Sequence, residues 1–238
     1  MGLCRPFVVK DTINSIQIFF NRMRLINGLK LLCLIAPFIV LKQTLSEIKF
    51  SEKLFADVHA KYGSEAEIRV RDWQQLLEEN KGKAPEDQLF EVNNFLNQTP
   101  FVDDIEHWGK TDYWATPVEF LASNGGDCED FTIAKYFSLR SLGIPDSKMR
   151  LMYVKALRLN QAHMVLAYFP TPDAVPLVLD NINPRILPAN QRRDLLPVYS
   201  FNGDGLWLAK AQGRGKQLRS DQKHSLWEDL TARIEHGF

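Results

Sequence analysis

One cysteine stands in a setting that favours nucleophilic chemistry. Cys128 lies in the segment Asn-Gly-Gly-Asp-Cys-Glu-Asp, residues 124–130, just before an apolar-periodic stretch that predicts a helix. Asp127 is a good helix N-cap and Asp130, three positions on, completes a capping box, which puts Cys128 in the first helical turn. Backbone N–H groups and the positive end of the helix dipole favour a thiolate there, the form that attacks carbonyl carbons. The alternative is a buried packing cysteine beside acids that only cap the helix.

A histidine and an aspartate are spaced to support that cysteine. Of the five histidines, His163 is at the start of a predicted strand, 162–169, and Asp180 ends the next, 177–180. The midpoint between them falls in the turn at 170–173, so an antiparallel hairpin places them opposite each other within about one register step. Opposed Cβ atoms are about 4.5–5.5 Å apart. A carboxylate on one ring nitrogen fixes the tautomer and leaves the other nitrogen to activate a thiol. A surface ion pair is the alternative.

The acids beside the cysteine suggest a metal. Asp127, Glu129 and Asp130 surround Cys128, and negative charge next to a thiol disfavours the thiolate. A bound cation resolves this conflict. Oxygen ligands and the flexible glycine approach suit calcium better than the strict octahedron of magnesium. Because helical positions turn by about 100°, we expect Glu129 and Asp130 to point away from the sulfur.

Helices precede strands along the chain. Amphipathic patterns predict helices at 47–62 and 68–80 and a third from Pro85, and the Cys128 helix ends near Gly143. Strands follow at 150–157, 162–169, 177–180, 198–201 and 206–209, and the chain ends in an amphipathic helix around Trp227 and Leu230. The aromatic stretch 101–120 holds Trp108 and Trp114, which either line a cleft or plug the helices against the sheet.

Composition limits the class of protein. The 238 residues are 45% hydrophobic, enough for one domain with a full core, and the formal net charge is zero. Six basic residues and one acidic residue precede residue 47, leaving a mildly acidic body of 23 basic and 28 acidic residues. A nucleic-acid partner is not expected, since it requires a basic surface.

The first 46 residues are predicted to be an N-terminal extension and a signal peptide, with residues 47–238 as the domain. The apolar run 31–41 is too short to span a bilayer but suits a signal peptide cleaved before Glu47, and translation starts at Met1 or Met23. An uncleaved membrane anchor is the alternative. Cys128 is the only cysteine from residue 47 onward, so in an oxidising compartment it is either buried or used.

The order of Cys128 after Gly-Gly-Asp, His163 in Gln-Ala-His-Met-Val-Leu and Asp180 in Leu-Asp-Asn-Ile resembles the bacterial transglutaminase-like cysteine proteinases. The similarity is greatest to the LapG-type periplasmic branch and runs from about residue 55 to 208. It implies an α+β, papain/transglutaminase-like fold in which N-terminal helices pack on an antiparallel sheet. It also implies Cys128, His163 and Asp180 as the catalytic triad and calcium at the matching acids.

The resemblance further implies a biological role. Members of the family cleave the N-terminal region of a large surface adhesin at a paired-alanine site, which releases the adhesin and disperses a biofilm. An inner-membrane cyclic-di-GMP receptor sequesters the protease. Two alternatives stay open: a transglutaminase-type acyl transferase, in which an amine captures the same thioester, and a silent interaction module whose cysteine does not react.

Overall fold

The computed structural model describes residues 49–203, 205–208 and 225–237, and the predicted signal peptide lies outside them. Helices and an antiparallel sheet make up this part of the chain. The helices are α1 Glu52–Tyr62, α2 Ser64–Asn80, α3 Pro85–Leu96, α4 Asp104–His107, α5 Pro117–Ser123, α6 Cys128–Ser141 and α7 Ser225–His236. None of the described helices is both long and apolar enough to cross a membrane.

The described strands form one six-stranded antiparallel sheet in the order β4-β3-β2-β1-β5-β6. The strands are β1 Met149–Ala156, β2 Gln161–Tyr168, β3 Leu177–Leu179, β4 Leu187–Pro188, β5 Leu195–Asn202 and β6 Gly205–Leu208. The predicted hairpin of β1 and β2 is confirmed. Two short elements, α4 and β4, carry too few residues for a periodic pattern and were not predicted.

Helix α6 is the central element of the fold. Every residue from Cys128 to Leu139 is buried, so the helix is enclosed on all sides. Its apolar side chains share one core with α1–α3 and with alternate residues of β1 and β2, such as Leu151 and Leu166. On the α2 side, the indole N–H of Trp73 donates to the hydroxyl of Ser138 at 2.8 Å. The N-terminal part of α6 lies against β2, where the hydroxyl of Thr132 donates to the carbonyl oxygen of Met164.

The aromatic stretch before α6 is part of the packing. Trp114 is buried and stacks on Phe201 of β5 with ring centroids 5.6 Å apart, and Trp108 packs against the same core. Of the two predicted roles, packing the helices against the sheet therefore applies to both tryptophans. The predicted fold class, helices packed on an antiparallel sheet, is confirmed.

Candidate active site

The predicted histidine–aspartate pair is formed. The Nε2 atom of His163 lies 2.8 Å from the Oδ1 atom of Asp180, and both side chains are buried. The β2–β3 register pairs Leu166 with Leu179, so continuing it by one residue sets Asp180 opposite Val165, two positions from His163. Asp180 is therefore diagonal to His163 rather than directly opposite, which is within the one register step predicted. The contact survives because residues two positions apart share one face of a strand.

Asp180 is held by several donors at once. The N–H of Ile182 donates to Oδ1 at 2.9 Å, and the Arg192 guanidinium donates to Oδ2 at 2.7 Å. Burial alone would raise the pKa of Asp180, but the bonds to His163 and Arg192 outweigh it and hold the pKa well below its usual range. The carboxylate is thus ionised and fixed. It leaves Nδ1 of His163 as the ring nitrogen for a thiol.

Arg192 is a site residue that sequence reasoning missed. It is buried at the end of a short 3₁₀ turn, 189–191, and its guanidinium also bonds both oxygens of Asp194, at 3.0 and 2.8 Å. Nothing in the local Gln-Arg-Arg-Asp sequence separates it from the neighbouring Arg193. Only the folding of this loop over the end of β3 identifies its partner.

Replacing Arg192 with methionine should lower stability and change its pH dependence. Removing one partner of a buried ion pair costs about 3–5 kcal/mol. The low folded-state pKa of Asp180 stabilises the protein above the unfolded-state pKa, and this is lost as the pH falls through the folded-state value. Without Arg192 the folded-state pKa of Asp180 rises towards the unfolded-state value, so the free energy of unfolding should fall less steeply as the pH drops below the unfolded-state pKa. Urea unfolding from about pH 7 to about pH 2 measures this.

The exposed neighbour Arg193 provides the control. The Arg193→Met variant should unfold like the wild type at every pH. Equal pH profiles for the two variants would mean that Arg192 does not stabilise the Asp180 carboxylate.

Cys128 is the first residue of α6, as predicted. The Asp127 side chain accepts from the N–H of Glu129 at 3.2 Å, and Asp130 completes the capping box. Gly126 is required for close approach, because a Cβ atom there would lie 2.5 Å from the Oδ2 of Asp130. Neither Gly125 nor Gly126 has a positive φ. The left-handed backbone conformation before α6 is at Asn124, the C-cap of α5, with φ of 56°.

The first turn of α6 lies against β2 next to His163. The hydroxyl of Thr132 is 2.8 Å from the carbonyl oxygen of Cys128 and 3.1 Å from that of Met164. One hydroxyl group therefore spans the backbone of the cysteine and that of the residue after the histidine.

Glu129 differs from its predicted orientation. Its Oε2 atom lies 2.8 Å from the Cys128 sulfur, a distance at which a reduced thiol donates a hydrogen bond to the carboxylate. Burial of the first turn on all sides keeps this side chain from solvent. Nucleophilic attack requires the reduced thiol, since the thiolate is the attacking form.

Carboxylates converge beside the helix start. Asp104, Asp127 and Asp130 offer oxygen atoms that all lie within 4.8 Å of one another, and Asp127, Glu129 and the Cys128 sulfur form a second such group. All four acids are buried. Asp104 comes from the short α4 and was missed, because it lies in an irregular stretch with no pattern that points to the cysteine.

The electrostatics of this acidic cluster, Asp104, Asp127, Glu129 and Asp130, favour a cation. Burial, with repulsion between the carboxylates, raises the pKa of Asp104 to about 6 and those of Asp127 and Asp130 well above the usual value. Burial raises the pKa of Glu129 to about 8. Among the described residues, no group donates to the buried Oδ1 of Asp104. Oxygen donors at this spacing fit an ion with ligand distances of about 2.3–2.6 Å, which is the range of calcium.

Two apolar side chains flank the His163–Asp180 pair and the cysteine loop. Phe101 is 47% exposed, and its backbone forms a parallel bridge to Gly126, with the N–H of Val102 donating to the Gly126 carbonyl at 2.9 Å. Ile182, also 47% exposed, belongs to the loop that carries Asp180.

Comparison with known proteins agrees with this geometry. Residues 56–200 match the model of a family described as bacterial transglutaminase-like cysteine proteinase. Solved structures of Legionella pneumophila LapG are 41% identical to the chain, and the match covers the whole length of each LapG structure. The EGTA-treated form matches 80% of this chain with a TM-score of 0.70, and the calcium-bound form matches 78% with a TM-score of 0.68. A comparison with curated proteins finds no match. The resemblance inferred from the motifs is confirmed, and the chain belongs to the family of bacterial transglutaminase-like cysteine proteinases.

Proposed function

We propose that the protein is a calcium-dependent cysteine endopeptidase of the periplasm that cleaves the N-terminal region of a large surface adhesin. The observation that carries this proposal is the buried, multiply bonded His163–Asp180 pair beside the first turn of the Cys128 helix. Membership of a cysteine proteinase family supports the peptidase chemistry.

The reaction follows from the roles of the three side chains. Nδ1 of His163 takes the proton of the Cys128 thiol, and the sulfur attacks the carbonyl carbon of the scissile peptide bond. The imidazolium then gives its proton to the departing amine, which leaves a thioester on Cys128. Water, deprotonated by the same imidazole, hydrolyses the thioester. Asp180, bonded to Nε2, holds the ring in the required tautomer and stabilises its charged form.

Asp104, Asp127 and Asp130 are the residues that would hold calcium, with Glu129 next to Asp127. The ion supplies positive charge that keeps these buried acids ionised without raising the pKa of the nearby thiol. Support comes from the Legionella protein LapG, which has been solved in calcium-bound and EGTA-treated forms.

The substrate and partners are proposed from the family resemblance. The paired-alanine cleavage site is carried over from the family, and the exposed apolar side chains of Phe101 and Ile182 are proposed as contacts for the substrate. Cleavage would release the adhesin and disperse a biofilm, under the control of an inner-membrane cyclic-di-GMP receptor that sequesters the protease. Export to the periplasm depends on the predicted signal peptide, and nucleic acid is not expected as a partner.

Incubation of the purified protein with N-terminal adhesin fragments and a labelled amine tests the proposal. Mass spectrometry should find two peptides whose masses sum to the substrate plus one water, with no label on either. Label on the new C-terminus, or on an intact fragment, would identify amine capture of the thioester and hence the acyl-transferase alternative. An intact, unlabelled adhesin would contradict the proposed substrate.

A further inference from the structure

The C-terminal helix α7 reaches the acidic cluster through one arginine. Arg233 is 21% exposed along its side chain, and its guanidinium donates to the carbonyl oxygen of Trp114, to the Glu119 carboxylate and, at 3.0 Å, to the hydroxyl of Tyr113. Three contacts from one planar group restrict both the position and the orientation of the segment 113–115.

That segment bonds two acids of the cluster. The N–H of Tyr113 donates to Oδ2 of Asp104 at 2.6 Å, and the N–H of Ala115 donates to Oδ1 of Asp130 at 2.7 Å. The carbonyl that Arg233 holds belongs to Trp114, the residue between these two donors. The Trp114 carbonyl shares one planar peptide group with the Ala115 N–H, so a shift of this carbonyl would move the donor to Asp130. The bond from Arg233 to the Tyr113 hydroxyl fixes the residue whose N–H bonds Asp104.

The bonds from segment 113–115 determine which oxygens remain for a ligand. With Oδ2 of Asp104 engaged by Tyr113, the Oδ1 atom is left buried without a donor among the described residues. With Oδ1 of Asp130 engaged by Ala115, the only donor to Oδ2 in the described part of the chain is the N–H of Asp127, at 3.3 Å. Each acid thus keeps one oxygen directed to the cluster.

Glu119 and the apolar face of α7 keep Arg233 in place. Glu119 accepts from the N–H of Thr116 and from the hydroxyl of Tyr113, both at 2.9 Å, and is buried. Three side chains of α7 are buried against the core: Trp227, Leu230 and Ile234. The charge of Arg233 is balanced by Glu119 and Asp229, so its effect on the cluster is positional rather than a direct repulsion of a cation.

We propose that Arg233 is a positioning residue for the calcium site, acting through segment 113–115 on Asp104 and Asp130. The inference rests on the proposed calcium dependence. It assigns a role to α7, which lies beyond the residues 56–200 that match the family model.

Calcium affinity measured by titration calorimetry tests the proposal without reference to catalysis. Loss of a group that orients metal-binding side chains typically weakens metal affinity by about 10- to 100-fold, and we expect a rise of this size in the calcium Kd of Arg233→Met. Arg233→Lys keeps the charge but not the planar fork, so it should recover only part of the affinity.

Arg140→Met is the matched control. Arg140 is 18% exposed along its side chain and pairs with Asp146 at 2.8 Å at the opposite end of α6. Its replacement should lower the thermal midpoint in EGTA as Arg233→Met does, yet leave the calcium-induced rise of the midpoint unchanged. Near-ultraviolet circular dichroism establishes that each variant is folded, and Arg233→Lys provides the comparison if the methionine variant does not fold.

The outcomes separate this inference from the proposed function. Wild-type calcium affinity in folded Arg233→Met or Arg233→Lys would overturn the role of Arg233 and leave the calcium site standing. Absence of calcium binding by the wild-type protein would overturn the calcium site and this inference together.

Discussion

Cys128→Ala, His163→Ala and Asp180→Ala should each abolish adhesin processing. In the proposed mechanism the thiol is the attacking group, the imidazole is both its base and the acid for the leaving amine, and the carboxylate orients the imidazole, so each loss should reduce kcat by a factor on the order of 10⁴ or more. Quantitative mass spectrometry of the two cleavage products measures the rate. The effects should not add in a double variant, because the three groups act as one unit.

The Asp180 replacement requires a control for stability. Removing this carboxylate leaves Arg192 without one of its buried partners, which costs free energy of unfolding as well as orientation of the imidazole. Asp180→Asn keeps the size and should still lose most of the activity, because the amide does not stabilise the imidazolium. Asp194→Asn is the matched control, since Asp194 also bonds Arg192. It should retain most of the activity.

Full processing by the Cys128→Ala protein would contradict the catalytic assignment. Equal activity losses in Asp180→Asn and Asp194→Asn would instead show that the ion pairs stabilise the loop and that Asp180 has no special role towards His163. Near-ultraviolet circular dichroism of all variants separates loss of chemistry from loss of fold.

The sequence was informative where local physics determines structure. The capping box at Asp127 and Asp130 placed Cys128 at the start of its helix, because both side chains bond backbone groups within three residues. Alternation of apolar residues predicted the strands, and the position of the turn between them predicted the contact of His163 with Asp180, which are diagonal rather than directly opposite. Each inference depended on neighbours close in the chain.

The missed residues depend on contacts between distant segments. Arg192 and Asp104 reach the site from a 3₁₀ turn and a four-residue helix, elements too short for a periodic pattern. The orientation of Glu129 was missed for a different reason. An ideal helical wheel describes where a Cβ atom points, whereas the long Glu129 side chain is enclosed by packing and folds back to the sulfur.

Chelation with EGTA should abolish proteolysis, and calcium should restore it where an equal concentration of magnesium does not. Without a cation, burial and mutual repulsion raise the pKa values of the acidic cluster, and the Glu129 carboxyl lies against the sulfur of Cys128. Calcium accepts an irregular set of oxygen ligands, whereas magnesium requires a near-ideal octahedron at about 2.0–2.1 Å. Adhesin cleavage is measured during stepwise addition of each ion to the chelated protein.

Replacement of the acids separates a metal site from ordinary helix capping. Asp127→Ala and Glu129→Ala should mimic the chelated protein, and Asp104→Asn, which removes no hydrogen bond of the α6 capping box, should do the same. Asp103→Asn is the control, because Asp103 is adjacent to Asp104 but only half-buried. Undiminished cleavage in excess EGTA, with Asp104→Asn as active as Asp103→Asn, would contradict the calcium site. Asp127 and Asp130 would then act only as caps, a role that costs about 1 kcal/mol when lost and does not respond to calcium.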